Sequence, residues 1–197
     1  MAERTILCYG DSNTYGYDPR GFWGGRYEAN SRWCDLMARK TGWRIINCGE
    51  NGRMIPTKVW EYQLLMRCIE ENASVDTITV MLGTNDVLMG LSLTVEEIVA
   101  RMEKLLQLLQ KECPKKRLVL IAPPQIALPE EELCGKLEAV QRGYEALAAK
   151  LGVDFCSAAR WELPMASDGV HLSPEAHQIF AEKLIAYFMG PNGKIIR

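Results

Sequence analysis

Ser12 stands in the run Cys8-Tyr9-Gly10-Asp11-Ser12-Asn13-Thr14, directly after the β-favouring residues Thr5-Ile6-Leu7, and His171 stands near the other end of the chain in Asp168-Gly169-Val170-His171. A serine hydroxyl is a poor nucleophile near neutral pH. It attacks a carbonyl only with a base in hydrogen-bond reach, itself held in one tautomer by a carboxylate. Two histidines exist to serve as that base. His171 follows Asp168 by three residues and precedes Ser173-Pro174, an N-cap with proline at the first helical position, so its backbone would be fixed. His177 lies one turn into the following helix and reads as a solvated surface residue. A hydrogen-bonded structural histidine is the other reading of His171, and turn or cap residues the other reading of Asp11, Ser12 and Asn13.

Acyl transfer to a serine passes through a tetrahedral oxyanion, which needs preorganised N–H donors: the nucleophile's own amide, a second amide on a glycine and a side-chain amide. The amides of Ser12 and Gly52 and the side chain of Asn85 could supply all three. Each also has a purely structural reading, because Gly52 could serve a positive φ angle and Asn85 could cap its own turn.

The elements that would bring these residues together alternate along the chain. Short β-like runs occur at Thr5-Ile6-Leu7, Arg44 to Cys48, Asp76 to Leu82, Arg117 to Ala122 and Val153 to Cys156, the last an edge strand. Between them, helical patterns run from Ser31 as opener to Gly42 as stop, from about Thr57 to Asn72 with Val59, Tyr62, Leu65, Met66 and Ile69 in one stripe, from the capping box Thr94/Glu97 to Cys113-Pro114, and from about Glu130 to Leu151. A final helix after Pro174 turns Ala176, Phe180, Leu184 and Phe188 inward. Five strands alternating with helices imply α/β architecture: a three-layer α/β/α sandwich around a five-stranded parallel sheet, in one domain over residues 1–197. A flavodoxin-like order 2-1-3-4-5 would bring the loops after strands one, two and three, which carry Ser12, Gly52 and Asn85, to one switch point.

Composition narrows the class. With 197 residues, 48% of them hydrophobic, the chain can bury a full core, and its net charge of -2 without a basic cluster leaves no footprint for nucleic acid. No apolar run approaches a membrane span and no signal segment precedes the first strand, so a cytoplasmic location is expected. The seven cysteines, odd in number and without close pairs, read as small buried hydrophobes of a reducing compartment. Asp11, Asp86, Asp168 and His171 lack metal-ligand spacing, so neither metal nor cofactor is expected.

Gly10-Asp11-Ser12, Gly52, Gly83-Thr84-Asn85-Asp86 and Asp168-Gly169-Val170-His171 resemble, in order, the four sequence blocks of the SGNH hydrolases, also called the GDSL esterase/lipase family. The resemblance implies Ser12 as nucleophile, His171 as general base and acid, Asp168 as its orienting carboxylate, and Ser12, Gly52 and Asn85 as the oxyanion hole. Asn13 departs from the usual leucine, a change expected to touch loop packing rather than chemistry. The segments Gly10 to Tyr17, Asn51-Gly52-Arg53, Met81 to Asp86 and Ala122-Pro123-Pro124 look like the bacterial arylesterase and acyltransferase branch, which uses small acyl esters and includes oligomers. A small-molecule ester is then the partner, homo-oligomerisation is open, and acyl transfer to alcohols joins hydrolysis as an expected activity. Asp11 beside the nucleophile, Trp23 in the aromatic loop Phe22 to Tyr27, and Trp33 are the candidate substrate-contacting residues. The competing class is a flavodoxin-like module that cradles a phosphate or nucleotide with the first loop, a reading that leaves Asp168 and His171 without a task.

Overall fold

The computed structural model describes residues 4–21, 25–90 and 92–190. Five parallel strands form the sheet: β1 (Thr5–Gly10), β2 (Arg44–Gly49), β3 (Thr77–Met81), β4 (Arg117–Ala122) and β5 (Asp154–Ser157). Their order is β2-β1-β3-β4-β5, with Gly10 opposite Gly49 on one side and Met81 on the other. The order reverses beside β1, and the expected 2-1-3-4-5 arrangement is the one adopted.

Strand alternation builds both outer layers. In β1, Leu7 and Tyr9 join one core while Ile6 and Cys8 join the other; in β4, Leu118 and Leu120 separate in the same way from Val119 and Ile121. The first face is covered by α3 (Val59–Glu71), α5 (Val95–Glu112) and α6 (Glu131–Leu151), the second by α2 (Trp33–Thr41) and α7 (Pro174–Met189). In α5, Ile98, Met102, Leu105, Leu106 and Leu109 are all fully buried, and the Thr94/Glu97 capping box starts the helix as expected. Ser173 caps α7 through a bond from the Ala176 amide, with Pro174 in the first turn. Phe180, Leu184 and Phe188 are then fully buried, each contributing about 1.5–3 kcal/mol.

Several local expectations change. Two short helices sit where loops were expected: α1 (Ser12–Tyr15) after β1 and α4 (Thr84–Leu88) after β3. Helices of four and five residues carry no measurable period, so the chain shows a turn there and tertiary contacts complete it. Arg32, not Ser31, occupies the cap position of α2, and the Ser31 hydroxyl bonds Asn30 instead. In α3 the inward stripe begins after Val59, which is exposed together with Trp60 and Leu64. No helix among the described residues is long and apolar enough to cross a membrane.

Candidate active site

The nucleophile turn is built on two glycines. Gly10 and Gly49 end neighbouring strands in register, and α1 lies across them so closely that a Cβ on Gly10 would come 2.1 Å from Thr14 Oγ1, and one on Gly49 2.1 Å from the Tyr15 nitrogen. No side chain fits at either position. Asp11 caps the helix, its Oδ1 accepting from the Asn13 amide at 2.9 Å, and Asn47 in β2 donates to Thr14 O at 2.8 Å. Ser12 is thereby held at the first position of a helical turn, 7% exposed.

His171 reaches it from the loop before α7. Its Nε2 lies 2.9 Å from Ser12 Oγ and its Nδ1 2.5 Å from Asp168 Oδ2. The other Asp168 oxygen accepts the Val170 and His171 amides, each at 3.0 Å, closing a tight turn through Gly169 at φ +70°. Burial raises the Asp168 carboxyl, but the bonds from the His171 ring and the two amides outweigh it and hold the group below its ordinary value. An ionised Asp168 accepts the Nδ1–H and leaves the Nε2 lone pair facing the Ser12 hydroxyl, which is the tautomer a base requires.

The second and third loops are tied to the first. Arg53 Nη1 donates to Gly10 O at 2.7 Å and also to Cys48 O, so one guanidinium joins the ends of β1 and β2. It stacks over the Tyr9 ring at 4.3 Å and pairs with Glu50. Asn85 Nδ2 donates to Arg53 O at 3.0 Å, which occupies one of its two N–H groups and leaves the other. Asp86, fully buried, accepts the Ile55 amide at 3.0 Å and pairs with Arg101 at 3.3 Å. Gly52 takes φ +72° between these anchors, in the left-handed region that favours glycine. Ser12 in α1, Gly52 in its loop and Asn85 in α4 therefore lie on three hydrogen-bonded segments at the carboxyl edge of the sheet.

Sequence comparison supplies the deciding observation. The GDSL-like Lipase/Acylhydrolase family profile matches residues 8–179. The chain belongs to that family. It is an ester-hydrolysing serine hydrolase with the SGNH fold. This GDSL-like acylhydrolase is 27% identical to Est24, a carbohydrate acetylesterase from Sinorhizobium meliloti, with 94% of this chain and 100% of that chain covered and a TM-score of 0.78. The M. smegmatis aryl esterase shares the fold at 23% identity, 92% and 96% coverage and a TM-score of 0.79. A lipase/acylhydrolase from Enterococcus faecalis does so at 17% identity, 94% and 95% coverage and a TM-score of 0.72. None of the curated proteins matches the sequence.

Two of the candidate substrate-contacting residues of the GDSL-like acylhydrolase, Asp11 and Trp33, are buried. Asp11 is 2% exposed and spends its carboxylate on the helix cap; burial, partly offset by the Asn13 amide and the Arg53 charge, raises it to about 7. Trp33 is 1% exposed, packs against Phe180 at 4.8 Å and donates its Nε1 to Asn13 O at 3.0 Å, so it belongs to the core behind the nucleophile rather than to an entrance. Trp23 lies outside the described residues. His177, expected in solvent, is 1% exposed against Tyr27, and its Nδ1 accepts the Trp33 amide at 3.4 Å. The second face of α7 is covered by α2, which widens its buried stripe beyond the apolar positions. The sulfurs of Cys48 and Cys68 meet between β2 and α3, where the sequence reads all seven cysteines as separate thiols.

Two residues near the serine have no role in the chemistry as read from the sequence. Tyr17 sets its ring 4.5 Å from that of His171. Asn13, expected to affect loop packing, hydrogen-bonds the peptide groups on both sides of His171. A cavity of about 500 Å³ opens between the 49–54 loop and α3, lined by Tyr9, Gly52, Arg53, Trp60 and Leu64 among others. Ser12, His171 and Asn85 do not line it, and Gly52 is the member of the candidate oxyanion set that does. Among the described residues no cluster of three or more His, Cys, Asp or Glu side chains could hold a metal ion.

Proposed function

We propose that the chain hydrolyses small carboxylic esters, short acyl and aryl esters and acetylated sugars among them, through an acyl-Ser12 intermediate. The observation that carries this reading is the unbroken chain Ser12 Oγ, His171, Asp168, with links of 2.9 and 2.5 Å. Ser12 Oγ attacks the ester carbonyl as its proton passes to His171 Nε2. Asp168 keeps the ring in place and stabilises the imidazolium. The amides of Ser12 and Gly52 and the remaining N–H of Asn85 receive the oxyanion. Collapse breaks the bond to the leaving alkoxide, which takes the proton from Nε2. Water then repeats the sequence on the acyl-enzyme, releasing the acid and returning the proton to Ser12.

The likeness to Est24 supports acetylated sugars as a substrate class. An acyl-enzyme is also open to alcohols, and transfer to them is the finer activity that follows. The five cysteines outside the Cys48/Cys68 pair, four of them buried, support a cytoplasmic location, checked by cell fractionation. A fluorophosphonate probe should add one label per chain, on Ser12, and Ser12→Ala should lose both label and activity on a panel of acetyl, butyryl and octanoyl esters and acetylated sugars. Labelling elsewhere, or full activity in Ser12→Ala, rejects the reading. A product ratio of transfer to hydrolysis no higher than the bulk alcohol-to-water ratio removes the transferase activity alone.

A further inference from the structure

We propose that Asn13 is a positioning residue for the reaction, clamping the backbone on both sides of His171 so that the imidazole meets Ser12; the proposal rests on the roles assigned to Ser12 and His171 above. Its Nδ2 donates to Val170 O at 3.1 Å and its Oδ1 accepts the Leu172 amide at 2.8 Å. The two peptide groups are those immediately before and after His171. A primary amide is suited to this because it presents one donor and one acceptor side by side, matching a C=O and an N–H two residues apart.

The other bonds of the 162–173 loop leave this task open. The Asp168 bonds to Val170 and His171 amides, the Ala166 amide bond to His171 O and the Ser173 amide bond to Pro164 O shape the loop internally. The Ala127 amide holds Gly169 O at 2.7 Å, which ties the loop to the chain after β4, not to α1. Besides the Ser12–His171 contact itself, the side-chain hydrogen bonds that join this loop to α1 among the described residues are the two from Asn13.

Asn13 can act as a clamp because it is itself immobile. It is 2% exposed, its amide donates to Asp11 Oδ1 and its carbonyl accepts Trp33 Nε1. It is also the residue next to Ser12 on one helical turn, so nucleophile and base are referred to a single rigid segment. With Val170 and Leu172 held, only the two side-chain torsions of His171 remain, and Asp168 and Ser12 set those. Misplacement of a reacting group by about 1 Å can cost on the order of 10²-fold in rate.

The test uses the full chain and two variants, Asn13→Leu, which removes both bonds at similar volume, and Asn13→Asp, which keeps the acceptor for Leu172 but turns a carboxylate toward Val170 O. The expected result for Asn13→Leu is a kcat on a short aryl ester about 10²-fold lower, with KM within about twofold of wild type. Asn13→Asp should fall between, and the rate of fluorophosphonate labelling of Ser12 should drop in parallel with kcat in both. A low-field proton NMR resonance of the His171 Nδ1–H is expected in wild type and should broaden or vanish in Asn13→Leu. A merely structural residue would lower the urea midpoint and leave kcat, labelling rate and resonance at wild-type values, and that result overturns the proposal. If Asn13→Leu fails to fold, Asn13→Asp decides alone by the same readouts. Failure of wild type to label at Ser12 rejects the underlying roles, and this proposal with them, a result distinct from a labelled wild type with unaffected Asn13 variants.

Discussion

Gly10 and Gly49 lie opposite one another at the ends of β1 and β2, and the helical turn that carries Ser12 rests on both. The contact explains why a polar turn is buried: with no side chain beneath it, α1 drops onto the sheet, and Asn47 and Asp11 satisfy its backbone. Gly49→Ala puts a methyl group 2.1 Å from the Tyr15 nitrogen, which only backbone movement relieves. Turnover should fall by on the order of 10² or more. Gly52→Ala meets nothing within 4 Å and suffers only its φ of +72°, so a stability loss of about 1 kcal/mol is expected. Comparing urea midpoints and kcat for the two variants checks whether the first loss is steric and the second conformational.

The links from Ser12 through His171 to Asp168 predict non-additive kinetics. Ser12→Ala, His171→Ala and their combination should lower kcat by similar factors, because each disables one unit and leaves the same residual catalysis from the remaining donors. Asp168→Ala should cost less than either. Losses that multiply in the double variant would show that one member is structural.

Asn85 divides its amide between Arg53 O and the open side of the loop. Removing one oxyanion donor typically costs about 10²–10³ in kcat, or about 2.7–4 kcal/mol. Asn85→Ala should therefore lower kcat in that range at nearly constant KM. A drop confined to thermal stability, with kcat within a few fold, would assign Asn85 to bracing the Arg53 loop alone.

His177 predicts a pH dependence of stability. Burial first, then the charge of Arg32, lowers its folded-state value from 6.5 to about 4. The unfolded chain therefore binds the proton more readily below pH 6.5. Stability is complete above pH 6.5 and is lost as pH falls toward 4, with this residue accounting for roughly 3 kcal/mol. His177→Gln, whose side chain does not titrate, should lack that component. Between pH 7 and 4 the urea midpoint of wild type should fall relative to that of His177→Gln if the assignment holds, and the two should run parallel if it does not.

The sequence by itself determined the fold class and named the candidate reacting residues, while the strand order is not written in local runs and is decided by the sheet. Strand alternation, the 3.6-residue stripe of α5, the Thr94 and Ser173 caps and the glycine stop after α2 are interactions between residues a few positions apart, so they are written locally. Ser12 and His171, 159 residues apart, are paired by the resemblance of their two sequence blocks to those of the SGNH hydrolases, because counting two histidines leaves a structural reading of His171 open. Tertiary structure alone decided the rest. Trp33 reads as a substrate contact and His177 as a surface residue, yet α2 and α7 bury them against each other, a packing between two helices that neither helix's own pattern announces. Asn13 has ordinary local work as a turn residue, so nothing in its neighbourhood announces bonds to Val170 and Leu172. Those bonds exist only because the sheet sets the end of β1 beside the loop that enters α7, and an amide shows which peptide groups it serves only once they are brought within about 3 Å of it.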